Sequence, residues 1–541
     1  MDEGKGRALQ TTNQITGKKK WWALATVMVT MFFSSMNQTS VSTAIPTIIG
    51  DLHGFSLYAW IFSAYMMTSA ITIPIYGKLS DVYGRRPFYL FGLIMFSLGA
   101  IISGFANSMM MLIIARAVQG VGAGAMMSMP RATIGDIFTP KERGRWMGVI
   151  GAVFGLSSIL GPAIGGWITD SSLGWRWVFF VNLPFAVLAI IGVYLFLPKV
   201  RTNHEAKLDL VGSILLVIGL IPILLGFTWA GDKYAWSSVQ ELSLFGFGIL
   251  FLIFFFFYEK RAKSPIIEPS LFKNRIFTTS LILGTFVSMA MFGAIMFLPL
   301  FIQGVVGLNA ASSGMVMSPM MISFIVGSII VGQIMTKTGK YKRLSHISAI
   351  FMMLGLYLFM QMDVHTKYPT VILNMVILGL GIGSLMPLLN VAVQNAFPYK
   401  IMGTVNATQQ FVGSLGGVIA SPIFGSMLNH GFQEKIQESL PAELKQMMGS
   451  KLKDVNPQAF LTKEAQDALV AGFKKFGEAG MQLYHEFLHA IKVSLTSGIH
   501  QLFVLGFVFA ILTFIGTFFL PESKLKGEDY FKEALEESEQ K

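Results

Sequence analysis

Few side chains in this sequence are placed to do chemistry, and those few lie in or beside long apolar stretches. Arg116 begins the run Arg116-Ala-Val-Gln119-Gly120-Val-Gly122-Ala-Gly124 inside one such stretch. A charge there is costly in hydrocarbon and is expected to face a bundle interior, the alternative being a side chain that snorkels to the interface. Its expected work is coupling, together with Asp136. The other polar groups within apolar stretches are neutral: Asn37, Gln38, Gln303, Asn390, Gln394, Asn406, Gln409 and Gln410. These form a candidate substrate pocket, or else hydrogen-bond helices to one another. Asp81, Asp136, Asp209 and Glu259 stand at the ends of apolar stretches, as do His346 and His500. With no Cys, no H-x-x-x-H pair and no G-x-x-x-x-G-K-[ST] loop, nothing points to a thiol nucleophile, a metal or ATP. No nucleophile elbow or triad pattern occurs either. The chain reads as a non-enzyme without a cofactor.

The elements that hold these residues are set by composition. Of 541 residues, 53% are hydrophobic and 13% charged, too little polar surface for a soluble chain. Apolar runs long enough to cross hydrocarbon recur from Trp21 to Leu520, and unpaired backbone is not tolerated in lipid, so they must be helices. Fourteen are predicted. Alternate turns carry the basic residues (Lys78, Arg85 and Arg86; Lys141, Arg143 and Arg145; Lys199, Arg201 and Lys207; Lys260 to Arg275; Lys337 to Arg343), which predicts that those turns and both termini are cytoplasmic. The net charge of +12 is thus an orientation signal that touches anionic membrane lipid, not a nucleic-acid patch.

An internal repeat divides the chain. Gly77-Lys-Leu-Ser-Asp81-Val-Tyr-Gly84-Arg85-Arg86 recurs weakly from Gly332 to Tyr341, displaced by 255 residues. Gly122, Gly124 and Pro130 recur as Gly379, Gly381 and Pro387, displaced by 257. The expected fold is an all-α membrane protein of two pseudo-symmetric six-helix halves with two helices inserted between them. The predicted parts are a tail (1–20), an N-terminal bundle (21–198), two linker helices (199–259), a cytoplasmic loop (260–275), a C-terminal bundle (276–520) and a tail (521–541). Within the C-terminal bundle, 429–499 is hydrophilic, with eight Lys against eight Asp or Glu. Phe432, Ile436 and Leu440, then Leu469, Phe473 and Phe476, recur at helical spacing, which predicts an extracellular helical hairpin between spans thirteen and fourteen. Halves of this kind rock about a midplane site.

Two stretches are expected to govern that rocking. The Gly77–Arg86 turn, with Asp81, Gly84, Arg85 and Arg86, is a candidate latch between helix ends, or else a loop that only sets orientation. Gly155 and then Gly161-Pro162-Ala-Ile-Gly165-Gly166 permit backbone-to-backbone contact beside a kink, a candidate hinge and seal between halves.

The Gly77–Arg86 run resembles the loop motif of the major facilitator superfamily, Arg116–Gly124 its span-four motif, and Gly155–Gly166 the span-five motif of its antiporters. Trp175-Arg-Trp-Val-Phe-Phe-Val-Asn182-Leu-Pro184 is similar to a run typical of the fourteen-helix drug:proton antiporter branch. The resemblance implies a monomeric exporter of small amphipathic molecules driven by inward protons. The sequence departs from that branch at one place: Asn37 stands where the branch carries a span-one Asp. Asn takes up no proton and pairs with no cation. Neutral or anionic substrates are therefore expected over dications. Export or flipping of an endogenous lipid, glycolipid or siderophore fits the same residues, whereas a non-transporting receptor would need no alternating halves.

Overall fold

The computed structural model describes residues 18–52, 57–137, 140–197, 209–230, 233–262, 265–307, 317–397, 401–441, 444–445, 463–474 and 477–523. Apart from one isolated bridge between Ala230 and Tyr234, all regular structure there is helical. In chain order the helices are α1 (Lys18–Leu52), α2 (Tyr58–Tyr83), α3 (Arg85–Gly104), α4 (Met109–Ile137), α5 (Pro140–Asp170) and α6 (Trp177–Phe196, broken at Val181). The linker pair is α7 (Leu210–Trp229) and α8 (Val239–Glu259). Then come α9 (Arg275–Phe301, continued by a π turn to Val306), α10 (Ser318–Thr338), α11 (Lys342–Met360), α12 (Tyr368–Ala396), α13 (Met402–Ser439), α14 (Lys463–Lys474) and α15 (Gly477–Phe519).

Among the described residues twelve helices are long and apolar enough to cross a membrane. The two other predicted spans, α1 and α2, are continuous helices too, but rows of Ser, Thr and amide side chains lower their hydropathy. The chain is a multi-pass membrane protein. Its lipid-facing surface is plainest on α8, where Leu242, Ile249, Ile253, Phe254 and Phe257 are exposed.

Glycines set how the helices pack. Lipid tails are as apolar as leucine, so helices associate through close backbone approach. On α4, a Cβ at Gly120 would run into the Tyr65 carbonyl of α2, and one at Gly122 into the Phe96 amide of α3. On α12, a Cβ at Gly379 would meet the Met320 carbonyl of α10, and one at Gly381 the Met352 amide of α11. Gly124 and Gly383 repeat the contact one turn on, at Ser69 and Phe324. The halves are therefore related as expected, but in a corrected register: Gly379 takes the place of Gly120, not of Gly122. Glycines spaced by two let the sequence match slide by two, and only their neighbours fix it. In that register Gly99 rests on Gln119 as Gly355 rests on Leu378. Arg116 then has Met375 as its counterpart. Gly84 and Gly339, with φ of +93° and +64°, turn the chain at equivalent places.

The expected hairpin over 429–499 takes another form in its described parts. It is largely the prolongation of α13 and α15, which have 38 and 43 residues. At 1.5 Å per residue these rods reach roughly 57 and 64 Å, against about 30 Å of hydrocarbon. Phe432, Ile436 and Leu440 are buried as their spacing predicts, in one cluster with Phe487, Ile491 and Leu495. Leu469 and Phe473 of α14 pack on that cluster, while Phe476 lies outside the described residues. A separate hairpin was expected because the charged residues break the apolar pattern there; helix continuity is maintained by the buried stripe instead.

Overfilling the tight contacts is expected to cost about 1–3 kcal/mol or more each. Gly122→Leu and Gly381→Leu should lower thermal stability in detergent, whereas Gly166→Leu should change little, since a Cβ there meets nothing within 4 Å. A thermal-shift assay on the purified variants checks this.

Candidate functional site

Two polar assemblies emerge, one inside the N-terminal half and one between the halves. The first surrounds Arg116, which is fully buried. Its Nε donates to the Ile61 carbonyl at 3.2 Å, and its Nη1 to Asn37 Oδ1 at 3.0 Å and Gln119 Oε1 at 2.5 Å. The guanidinium carbon lies 4.1 Å from the Tyr65 ring centre, a cation–π contact strengthened by the burial of both groups. No carboxylate forms an ion pair with Arg116 among the described residues. Arg116 Nη2, Asn37 Nδ2 and Gln119 Nε2 have no hydrogen-bond partner. A buried guanidinium with spare donors and no counter-charge attracts an acceptor or an anion and repels a cation.

The second assembly joins the halves at the end of the bundle that carries the basic turns. Gly77 of α2 faces Ala407 of α13, and a Cβ on Gly77 would lie only 2.7 Å from the Ala407 Cβ. Arg131 of α4 donates to Gln410 Oε1 of α13. Arg85 Nη1 donates to Ser80 Oγ at 2.5 Å, and Ser80 donates to the Gly77 carbonyl at 2.9 Å, which braces the turn. These residues line a small cavity with Ser128 and Asn406. Arg86 turns away, its guanidinium 4.3 Å from the Tyr194 ring. Gly84 supplies the left-handed turn between α2 and α3.

The predicted pocket residues do not gather in one place. Asn37 belongs to the Arg116 assembly. Gln410 and Asn406 line the junction, and Gln394 Nε2 donates to Asn406 Oδ1 at 3.2 Å. Gln38, Asn390 and Gln409 are partly buried on α1, α12 and α13. The side chains of Asp81, Asp136 and Gln303 lie outside the described residues.

The glycines of span five serve two contacts. Gly161 and Gly165 press α5 onto Met36, Thr39, Ser40 and Thr43 of α1, within one half, and a Cβ at Gly166 would meet nothing. The glycines that face the other half are Gly155, where a Cβ would lie 2.5 Å from Ile325 Cδ1 of α10, and Gly151, where it would lie 3.9 Å from Ser328 Oγ. Pro162 bends the helix beside the α1 contact. The close contact of α5 with the other half thus falls one helical segment earlier than Gly161–Gly166, because the latter face is taken by the hydroxyl-rich α1.

His346 and His500 fasten α15 to α11: His346 Nδ1 is 2.6 Å from Thr517 Oγ1, and His500 Nδ1 is 2.8 Å from the Met360 carbonyl. Arg131 and Tyr65 escaped the sequence reading. Arg131 follows Pro130 where a basic interfacial residue looks ordinary, and Tyr65 in an apolar run looks like packing.

Two pseudo-symmetric helical halves, a buried cationic site and a junction that closes one end define a membrane carrier. Comparison with known proteins agrees. The Major Facilitator Superfamily profile matches residues 27–421. The multidrug transporter protein MdtP of Bacillus subtilis strain 168 is 38% identical over 529 residues, covering 94% of this chain and 95% of MdtP. Multidrug resistance protein 3 of the same strain is 34% identical, covering 96% and 98%. Among solved structures, the proton:xylose symporter XylE aligns with a TM-score of 0.57 at 13% identity, covering 94% of this chain and 97% of XylE. The chain belongs to the Major Facilitator Superfamily; it is a transporter, not an enzyme.

The junction is open to direct trapping because the chain lacks Cys. Cβ atoms in a disulfide stand about 3.8 Å apart, so the two helices need separate only by about 1 Å from the 2.7 Å Gly77–Ala407 approach. Oxidising the paired variant Gly77→Cys/Ala407→Cys is expected to give a reducible cross-link, seen as retained linkage after proteolysis between the halves. Either single variant should give none.

Proposed function

We propose that the chain exports small amphipathic molecules by proton antiport, alternating access between the two faces of a cell membrane. The relatives' names support the multidrug part of this reading. Fourteen spans with both termini and the basic turns in the cytoplasm follow from the charge distribution. In that orientation the Gly77–Ala407 and Arg131–Gln410 contacts bar the cytoplasmic side, and Gly77, Asp81, Gly84, Arg85 and Arg86 act as the latch that releases when that side opens.

The observation that carries the substrate class is Arg116 held by Asn37 instead of an acid. The N-terminal half offers donors and a fixed positive charge, which suits neutral or anionic amphiphiles, with apolar surface beside them supplied by Met and aromatic side chains. A neutral molecule leaving against one entering proton moves one charge inward per cycle, worth about 2.3 kcal/mol at 100 mV.

Transport in proteoliposomes under a set pH gradient and clamped voltage tests the scheme. Export of a neutral or acidic amphiphile should rise with an inward proton gradient and with voltage, and a dication of similar size should be handled poorly. Indifference to both forces would refute proton-driven export. Asn37→Asp places a carboxylate beside Arg116 and is expected to shift preference toward cationic dyes, read as a change in competition between a cationic and a neutral substrate.

The orientation has its own measurement. Protease added to intact spheroplasts should cut only within 429–499; loss of the Lys18–Lys20 region would reverse the assignment.

A further inference from the structure

Beyond Arg116, the strongest buried polar feature is a pair of carboxyl groups in the linker hairpin. Asp209 caps α7, with its Oδ1 accepting from the Gly212 amide at 2.7 Å. Glu259 closes α8 at the same end. Both enter the notch left by the missing side chain of Gly212. A Cβ there would lie 2.6 Å from Glu259 Oε1 and 2.7 Å from Asp209 Oδ2. Asp209 is 7% exposed and Glu259 2%. Asp209 Oδ2 and both Glu259 oxygens have no hydrogen-bond partner. The backbone of Ile266 and Ile267 lies against Glu259.

Two ionised carboxylates in one buried notch repel, which favours a proton on one of them. We propose that Glu259, with Asp209 beside it, forms a proton-binding site at the base of the α7–α8 hairpin.

The groups facing this notch are few. Tyr258 beside Asp209 and Lys78 of α2 beside Glu259 act on it through space. Lys78 follows Gly77, which meets Ala407 across the halves. Ile266 and Ile267 belong to an apolar cluster that joins α7 to Ile71 and Ile73 of α2 and to Phe411 of α13. Gaining or losing the proton alters the charge set against Lys78, one residue from the contact that closes the junction. The inserted pair thereby carries the acid that α1 lacks at Asn37. This transport role rests on the antiport reading above; proton binding itself does not.

Infrared spectroscopy of the purified full-length protein in lipid vesicles tests the binding. From about pH 5 to about pH 9, the range that buried carboxyls reach, a protonated-carboxyl band should persist above the ordinary carboxylate range and titrate once. Glu259→Gln should abolish it, and Asp209→Asn should move its midpoint to lower pH by removing the like charge. A band untouched by both variants, or no such band, overturns the site. Replacement of the band on adding NaCl, but not choline chloride, at constant pH would assign the notch to sodium and overturn it equally. If Glu259→Gln does not fold, Asp209→Asn gives the same decision. A second readout separates the two readings: with radiolabelled chloramphenicol, a neutral amphiphile, as the probe in proteoliposomes, Glu259→Gln should lose stimulation by a pH gradient but keep exchange of the probe at equal pH. Failure of the wild-type protein to respond to a pH gradient would count against antiport while leaving the spectroscopic result for the site intact.

Discussion

The structure depends on backbone-to-backbone contact between helices in a solvent that gives no reward for hiding apolar side chains. A hydrocarbon-bound helix gains as much from lipid as from a leucine on its neighbour. What lipid cannot match is close approach, and that requires the absence of a Cβ. Gly120, Gly122 and Gly124 bring α4 against α2 and α3, and Gly379, Gly381 and Gly383 do the same for α12. With these triads in place the remaining helices have defined surfaces to cover, including the linker pair, where Gly219 and Gly248 meet each other's helix.

The symmetry of that scaffold makes the asymmetry of its polar groups informative. Arg116 and Gln119 are replaced by Met375 and Leu378 at equivalent positions, so one half is cationic where the other is apolar. The repeated Gly84 and Gly339 turns also diverge. The first leads to Arg85, Ser80 and the junction with α13, whereas the second leads to Tyr341, whose hydroxyl donates to the Pro521 carbonyl at 2.7 Å and accepts from the Ser523 amide at 3.1 Å. One half uses its turn to meet the other half, and the other uses it to fix the end of α15. A duplicated frame thus carries a buried cation in one half and Met375 and Leu378 at the equivalent positions of the other.

The buried charges are distributed to avoid direct conflict. Among the described residues, Arg116 has no acid beside it, and none of the buried acids Asp209, Glu241 and Glu259 has a cation in hydrogen-bond contact. Each would be expensive alone in hydrocarbon. Arg116 is held by carbonyl oxygens and an aromatic face, and the acid pair sits at a helix end next to the field of Lys78. Cation and acids stand on separate elements, α4 on one side and the inserted α7–α8 pair on the other.

Membrane class, helical fold, the duplication and the burial of Arg116 follow from residue type and order alone. Hydropathy, basic turns and glycine spacing act within a few residues of themselves, so they survive being read in one dimension. Three things were decided only by packing in three dimensions. The register of the repeat needed the neighbours of each glycine, because Gly-x-Gly-x-Gly matches itself after a slip of two. The partners of Arg116 needed α1 and α2 to fold against α4, since Asn37 and Ile61 are far from it in sequence. The acid pair needed Gly212 to leave a notch, because Asp209 and Glu259 look like ordinary interfacial charges until two helix ends close over them.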